Sequence, residues 1–163
     1  MIKKILIFLL LALVIIQFFH PKKNQAAGAQ PNYIGNVYAI PADVKGILKK
    51  ACDDCHSNNT MYPWYSKIQP VDWWLDHHVQ EGKKELNLDE YSNRPLRYQY
   101  RKLEEIAKQV KEGEMPLNSY TWMHKDAILT EAEKNTLIGW ADGIREEMKS
   151  KYPIDSLVRK KAP

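Results

Sequence analysis

The chain has 163 residues and a mass of 19.0 kDa; 44% of its residues are hydrophobic and 27% are charged. This size and composition indicate one folded domain with short extensions, and they exclude a disordered or low-complexity protein. The formal net charge of +4 resides in four lysines before residue 24, because the remaining chain has 20 basic and 20 acidic residues. A chain body without net charge or a central basic block excludes a nucleic-acid-binding protein.

The first 23 residues have the pattern of a membrane-directed segment. Lys3 and Lys4 precede an apolar run over residues 5–19, which is typical of a signal peptide or a membrane anchor. A cleavable signal has small neutral residues where this chain has Lys22 and Lys23, so an uncleaved anchor is favoured over a removed signal. In either case we expect the rest of the chain on the extracytoplasmic (periplasmic) side of the inner membrane.

Residues 24–40 are polar and contain glycine, alanine and proline, which predicts a linker. The helical pattern begins after this segment. Pro41 suits the first position of a helix, and apolar side chains then recur at i, i+3, i+4 and i+7 in an amphipathic helix that leads directly into Cys52. These side chains are Val44, Ile47, Leu48 and Ala51.

The only two cysteines of the chain belong to the motif Cys52-Asp53-Asp54-Cys55-His56. This C-x-x-C-H spacing is typical of c-type haem attachment, in which each thiol forms a thioether and the histidine supplies an axial nitrogen to the iron. On the end of a helix, the three side chains project to one side, where one planar ligand can meet them all. We therefore predict that Cys52, Cys55 and His56 hold one covalent haem c.

Two other interpretations of the cysteine pair stay open. A disulfide leaves His56 without a role, and a thioredoxin-like dithiol needs a strand–helix–strand context that a helical chain does not offer. A zinc site needs four ligands, and the chain lacks a second cysteine pair. The histidines available to a zinc site are His77, His78 and His124.

Aromatic residues are dense in the twenty residues after the motif. They can wall a macrocycle and exclude water, although small helical domains also place aromatic side chains in the core. We predict that at least two of them contact the haem, with Trp64 and Trp74 as the candidates. The ring nitrogen of His56 that does not bind iron needs a hydrogen-bond acceptor, for which we expect the carbonyl of Pro63 or Pro70.

Three further helices are predicted from apolar residues that recur with a helical period. The second helix covers residues 71–81, and the third covers residues 97–112, with Gly113 as its stop signal. The fourth begins with a capping box from Thr130 to Glu133 and continues to residue 148. No alternating strand pattern interrupts them, so the predicted fold class is all-α. The predicted divisions are an anchor or signal at 1–23, a linker at 24–40, a haem-binding domain at 41–150 and a polar tail at 151–163.

The second axial ligand is predicted from the loop that precedes the fourth helix. Met115 is followed by Pro116. The proline ring fixes the φ angle of Pro116 and stiffens the loop, so the sulfur of Met115 can be brought to the haem face opposite His56. A thioether ligand favours ferrous iron, and His/Met ligation therefore suits electron transfer. Other candidates for this position are His78, Met61 and Met123.

The chain resembles a class I cytochrome c in three features. These are a helix that leads into the C-x-x-C-H motif, a Met-Pro loop further along the chain, and a C-terminal helix with an apolar face. More narrowly, the chain is similar to the bacterial haem-binding domain family of short exported proteins with one such motif. The resemblance implies one covalently bound haem c and an extracytoplasmic location, and it implies no particular reaction. The segments that carry it are Cys52 to His56, Tyr62-Pro63-Trp64-Tyr65, Trp73-Trp74-Leu75, Gly113-Glu114-Met115-Pro116, and Leu129 through Trp140.

From these features we expect a mono-haem electron carrier, tethered to the membrane by residues 5–19 and ligated by His56 and Met115, rather than a catalyst. Its expected partners are redox proteins of the membrane or the periplasm. The alternative function is a haem-based ligand sensor or a peroxidase-like enzyme, in which the sixth position of the iron is open or exchangeable. A third possibility is an exported helical interaction domain with a disulfide.

Overall fold

The computed structural model describes residues 1–159, so the last four residues of the predicted polar tail lie outside it. Within the described range the protein consists of eight α-helices and three short 3-10 helices, with two isolated β-bridges and no strand, which confirms the predicted all-α class. The α-helices are α1 (Ile2–Ile16), α2 (Ala42–Ala51), α3 (Asp53–His56), α4 (Val71–Glu85), α5 (Leu96–Glu112), α6 (Asn118–Thr121), α7 (Glu131–Lys151) and α8 (Ile154–Leu157). The 3-10 helices are Ile34–Asn36, Trp64–Lys67 and Lys125–Ala127.

Local sequence signals set the ends of the two longest helices. Helix α5 ends at Gly113, which has a φ angle of +74° and therefore adopts the left-handed conformation that favours glycine. Helix α7 begins with the predicted capping box: the hydroxyl of Thr130 accepts from the N–H of Glu133 at 3.2 Å, and the Glu133 carboxylate accepts from the N–H of Thr130 at 2.9 Å.

The hydrophobic core lies where α2 and α5 pack against α7. Among the described residues, the contact between α5 and α7 is the most extensive between any two helices, and α2 also contacts α7. The indole of Trp140 also donates to the carbonyl of Ala39 at 3.0 Å, which ties α7 to the segment before α2. The main core side chains of these helices are Val44, Ile47, Leu48, Leu103, Val110, Leu137, Ile144 and Met148.

The packed part of the chain extends beyond the predicted haem-binding domain at both ends. Ile34 and Tyr38, which lie in the predicted linker, are buried in the core, and the N–H of Ile34 donates to the carbonyl of Leu88 at 2.8 Å. In the predicted polar tail, Leu157 of α8 is buried against α5. These isolated apolar residues have no helical periodicity in the sequence, so composition alone indicated a linker and a tail.

Helix α1 is the predicted N-terminal hydrophobic helix, and none of its residues is buried. It has 15 residues, and its regular structure ends at Ile16, so Gln17 to Phe19 continue in another conformation. A length of 15 residues corresponds to about 22 Å. Within residues 1–159, no helix combines the length and the apolar character needed to cross a membrane.

Candidate functional site

The C-x-x-C-H motif forms a short helix of its own rather than the continuation of α2. The N–H of Cys52 still donates to the carbonyl of Leu48, but the φ angle of −129° at Cys52 interrupts the helix. The N–H groups of Cys55 and His56 then donate to the Cys52 carbonyl at 3.2 and 2.9 Å. This single turn, α3, directs Cys52, Cys55 and His56 to one cavity, as the sequence predicted.

Two adjoining cavities, of about 280 and about 190 Å³, lie beside the motif. Their shared boundary joins them into one groove between α3, α4 and α5. Apolar side chains from α2, α5 and α7 line the second cavity, so most of the groove wall repels water. The residues that line both cavities are Ala51, Cys52, His56, Glu85 and Met115.

The imidazole of His56 is fixed by two backbone carbonyls. Its Nδ1 lies 3.0 Å from the carbonyl oxygen of Gly82 and 2.9 Å from that of Leu86, so Nδ1 carries the proton and donates to them. Burial lowers the pKa of His56, which keeps the ring neutral. The Nε2 atom therefore has a free lone pair, as a metal-ligating imidazole requires. The predicted acceptors Pro63 and Pro70 were wrong, because Gly82 in the last turn of α4 and Leu86 directly after the helix supply the carbonyls.

Close approach of α4 to α3 depends on a glycine. A Cβ atom at Gly82 would lie 2.6 Å from the carbonyl oxygen and 2.9 Å from the Cβ of Cys55, which is closer than real Cβ contacts. Any larger residue would separate the two helices. Gly82 thus allows α4 to bring its carbonyls within reach of His56.

Both thiols are shielded and protonated. Burial, reinforced by the charge of Asp53, raises the pKa of Cys52 to about 12, and burial next to Asp54 raises the pKa of Cys55 to about 11. A catalytic or redox-active dithiol has a lowered pKa instead. The environment of the pair is therefore the opposite of that in a thiol–disulfide oxidoreductase.

The structure brings Met115 to the same groove as His56. Just after the Gly113 turn, the N–H groups of Glu114 and Met115 both donate to the carbonyl of Gln109, at 2.9 and 3.3 Å. These bonds hold the start of the loop against the end of α5. The side chain of Met115 is half-buried and lines both cavities.

The other candidates for the axial position occupy different places. His78 lines the larger cavity, and its ring lies 4.3 Å from that of Trp74, with Nδ1 3.1 Å from the Trp74 carbonyl. Met61 and Met123 line a third, smaller cavity of about 60 Å³ behind Cys55. The groove that contains His56 therefore includes Met115 and His78, and Met61 and Met123 are outside it.

The two tryptophans predicted to contact the haem are not in the groove. Trp74 lines the third cavity, which also contains Cys55. Trp64 is 72% exposed and is not among the residues that line these three cavities. Haem contact by Trp64 and Trp74 stays a prediction.

A polar and aromatic cluster beside Cys55 could not be found from the sequence. The hydroxyl of Tyr120 donates to the carboxylate of Asp54 at 2.8 Å, and its ring stacks on His124 with centroids 4.2 Å apart. Nε2 of His124 is 2.9 Å from the hydroxyl of Tyr65. Burial and the bond to Asp54 raise the pKa of Tyr120, so the phenol stays protonated. Tyr120 lines the larger cavity and links the α6 region to the motif.

Lys102 is a second feature that sequence patterns do not show. It is buried on α5 and lines the second cavity, and its ammonium lies 3.0 Å from Glu85 and 2.6 Å from Glu105. Burial acts to lower its pKa, but the hydrogen bonds to Glu105 and Glu85 outweigh burial and the net shift is upward. A permanent positive charge therefore lies beside the groove.

Comparison with known protein families gives one match. The family described as a haem-binding domain covers residues 11–143, which is most of the chain. The chain belongs to the haem-binding domain family. The matched range includes Cys52, Cys55, His56 and Met115, and membership makes this a haem-binding protein. No curated protein and no solved structure matches the chain.

Proposed function

We propose that this haem-binding domain is a membrane-tethered electron carrier with one covalently attached haem c, held as in a class I cytochrome c. The observation that carries the proposal is the arrangement of Cys52, Cys55 and His56 around one groove, with the His56 Nδ1 proton already donated to backbone carbonyls. When bound, a haem supplies an iron that accepts and releases one electron.

The groove residues fit such a group in chemistry as well as in position. The two thiols are protonated and unpaired, so they are available to form thioethers. Apolar side chains such as Leu86, Ile106 and Val110 line the second cavity and would exclude water from a macrocycle. A dithiol or a zinc site would not need this apolar wall.

We further propose Met115 as the second axial ligand, because it lines the groove together with His56 and its loop is anchored to α5. Neutral sulfur ligation favours the ferrous state and suits electron transfer. The other function, a ligand sensor or peroxidase-like enzyme, requires an open or exchangeable sixth position. His78 lies in the same cavity and would be the alternative protein ligand.

Helix α1 supports the proposed tether. From Ile5 to Ile16 its side chains are apolar on every face and none is buried, a pattern typical of a helix surrounded by lipid. We propose that it holds the haem-binding domain at the periplasmic side of the inner membrane. Confinement to a thin layer raises the effective concentration of membrane and periplasmic redox partners, so strong docking is not required.

The test is a haem assay on membrane and soluble fractions of cells that express the full chain with a cytochrome c maturation system. We expect one haem per chain in the membrane fraction, retained after acidified organic extraction because thioethers are covalent. The control is the double variant Cys52→Ser/Cys55→Ser, whose pigment should be extractable. Colourless protein, or extractable pigment from the wild-type chain, would contradict covalent attachment.

A further inference from the structure

The segment that leaves α1 is joined to the start of α4 by reciprocal amide hydrogen bonds. The N–H of Gln69 donates to the side-chain oxygen of Gln17 at 2.9 Å, and the Gln17 amide nitrogen donates back to the Gln69 carbonyl at 3.2 Å. This one pair of residues thus makes two hydrogen bonds across the contact between the segment after α1 and the start of α4, which we call the joint. Gln69 is fully buried, so these bonds are protected from water.

Phe19 adds a second pair of contacts to this joint. Its carbonyl accepts from the side-chain amide of Gln69 at 2.6 Å and from the indole N–H of Trp73 at 2.9 Å. The Phe19 carbonyl cannot rotate freely, because it accepts one hydrogen bond from Trp73 in α4 and another from Gln69 just before this helix. The direction in which the chain leaves α1 is therefore set by the haem-binding domain itself.

A buried carboxylate completes the joint. Asp72 in the first turn of α4 is fully buried, and its two oxygens lie 2.7 Å from Nδ1 of His20 and 2.6 Å from Nζ of Lys23. An unpaired carboxylate at this depth would be strongly unfavourable. A signal peptidase acting at Ala27-Gly28-Ala29 would remove the residues up to Ala29 and would take both partners from Asp72. This pairing of Asp72 favours retention of the segment over its removal.

Large apolar side chains surround the joint and lack a cover. Phe18, Ile68 and Trp73 are 79%, 44% and 42% exposed, and Val71 is also exposed. They lie within a few residues of the hydrogen bonds described above. Among the described residues, α1 packs against no other helix. The patch adjoins the end of α1, because Phe18 directly follows this helix in the chain and Trp73 donates to the Phe19 carbonyl.

We propose that this patch, defined by Phe18, Ile68, Val71 and Trp73, rests in the interfacial layer of the bilayer that receives α1, and that the joint holds the domain in that one orientation. The proposal rests on the membrane tether of the proposed function. A lipid bilayer is the partner that the surface fits, because the patch adjoins the lipid-facing helix. Tryptophan side chains are also enriched at membrane–water interfaces.

The experiment measures the reactivity of an introduced thiol in the full holoprotein in nanodiscs of phosphatidylcholine and phosphatidylglycerol. Haem attachment consumes both native thiols, so Ile68→Cys carries a single reactive group. Ile128→Cys is the matched control, since Ile128 is 54% exposed and lies outside the patch. We expect Ile68→Cys to react with a water-soluble maleimide about tenfold more slowly, because a low-dielectric layer raises the thiol pKa by about one unit.

A second variant tests the joint. Adding Gln17→Ala to Ile68→Cys removes both amide bonds while leaving the domain sequence unchanged, and the reaction rate should then rise towards that of Ile128→Cys. An unchanged rate would show that the joint does not set the orientation.

Equal rates for Ile68→Cys and Ile128→Cys in chains that co-elute with nanodiscs would overturn the docking. Failure to co-elute would overturn the tether and the docking together. If the wild-type chain itself reacts with the maleimide, the proposed thioethers are contradicted, because a native thiol is then free. The docking is still tested by the difference in reaction rate between Ile68→Cys and Ile128→Cys after the wild-type rate is subtracted.

Discussion

His56 and Met115 are positioned by different means. Two carbonyl acceptors hold the His56 ring directly, whereas Met115 is positioned through backbone bonds to the Gln109 carbonyl. The sulfur can therefore be removed without disturbing the contacts that shape the loop. A single substitution at Met115 can therefore test the proposed second axial ligand.

Met115→Ala should abolish the long-wavelength sulfur-to-iron absorption band of the ferric protein and allow the ferrous protein to bind carbon monoxide. The reason is that the sulfur of Met115 is lost while the cavity remains. Absorption spectroscopy measures both effects. Met123→Ala is the control, because Met123 is exposed and lies outside the groove. A band that persists in Met115→Ala would contradict Met115 as the ligand. Wild-type protein that lacks the band in the ferric state and binds carbon monoxide readily in the ferrous state would favour the sensor or peroxidase-like alternative.

At this scale the motif made it predictable that Cys52, Cys55 and His56 line one cavity, because the three residues lie within five positions of one another. The acceptors of the His56 proton were not predictable in the same way. They depend on how closely α4 approaches α3, and Gly82 alone does not reveal that approach in a sequence. Tyr120 was equally hidden as a partner of Asp54, since 66 residues separate them.

Among the helices, α3 and α4 form the unit that shapes the site, and α7 closes the core behind it. The ends of α5 and α7 were predicted because glycine stops and capping boxes act over four residues. Helix α4 extends to Glu85, four residues beyond the prediction, and α2 is interrupted at Cys52. Both differences arise from tertiary contacts that no local pattern encodes.

Gly82→Ala should lower the free energy of unfolding by about 1 to 3 kcal/mol, because the new methyl group forces α4 away from the Cys55 backbone. Chemical denaturation of the holoprotein measures it. Gly139→Ala in α7 is the matched control: its methyl group meets nothing within 4 Å, and alanine favours a helix by about 0.5 to 1 kcal/mol. Equal stability of the two variants would mean that α3 and α4 do not need this close contact.

Stability should depend on pH through Glu133, where α7 meets α2. Its hydrogen bond from Lys50, followed by that from the Thr130 backbone, lowers the pKa of Glu133 from 4.5 to about 2. Because the pKa in the folded state is the lower one, the stabilisation is present above pH 4.5 and is lost as the pH falls towards 2. Melting temperatures of wild type and Glu133→Gln should therefore converge over this range. Glu112→Gln, at an exposed position on α5, should show no such convergence.

For the molecule as a whole, the segment after α1 is part of the packed protein. Asn24 is buried, donates to the Ser57 carbonyl and to the Thr60 hydroxyl at 2.9 Å each, and so braces the loop after the haem motif. Its neighbour Gln25 pairs with Asn59 in a β-bridge. Sequence patterns assigned this segment to an anchor and a linker, because isolated polar residues give no sign of the distant groups that they bind.

Lys23→Met should destabilise the detergent-solubilised holoprotein by about 1 to 3 kcal/mol, since it removes a charged hydrogen bond from buried Asp72. Thermal unfolding followed by circular dichroism measures the change. Lys22→Met is a control with the same substitution at the adjacent, exposed residue, and it should be neutral within about 0.5 kcal/mol. If both variants unfold alike, the ion pair with Asp72 adds nothing to stability.

Helix α4 connects the two regions discussed above. Its first turn carries Asp72 and Trp73 at the joint with α1, and its last turn supplies the Gly82 carbonyl that holds His56. A helix of 15 residues spans about 22 Å, so in the proposed membrane-tethered carrier α4 would be a spacer of fixed length between the lipid and His56. A redox partner in the same bilayer would then need its own centre at a matching height above the lipid.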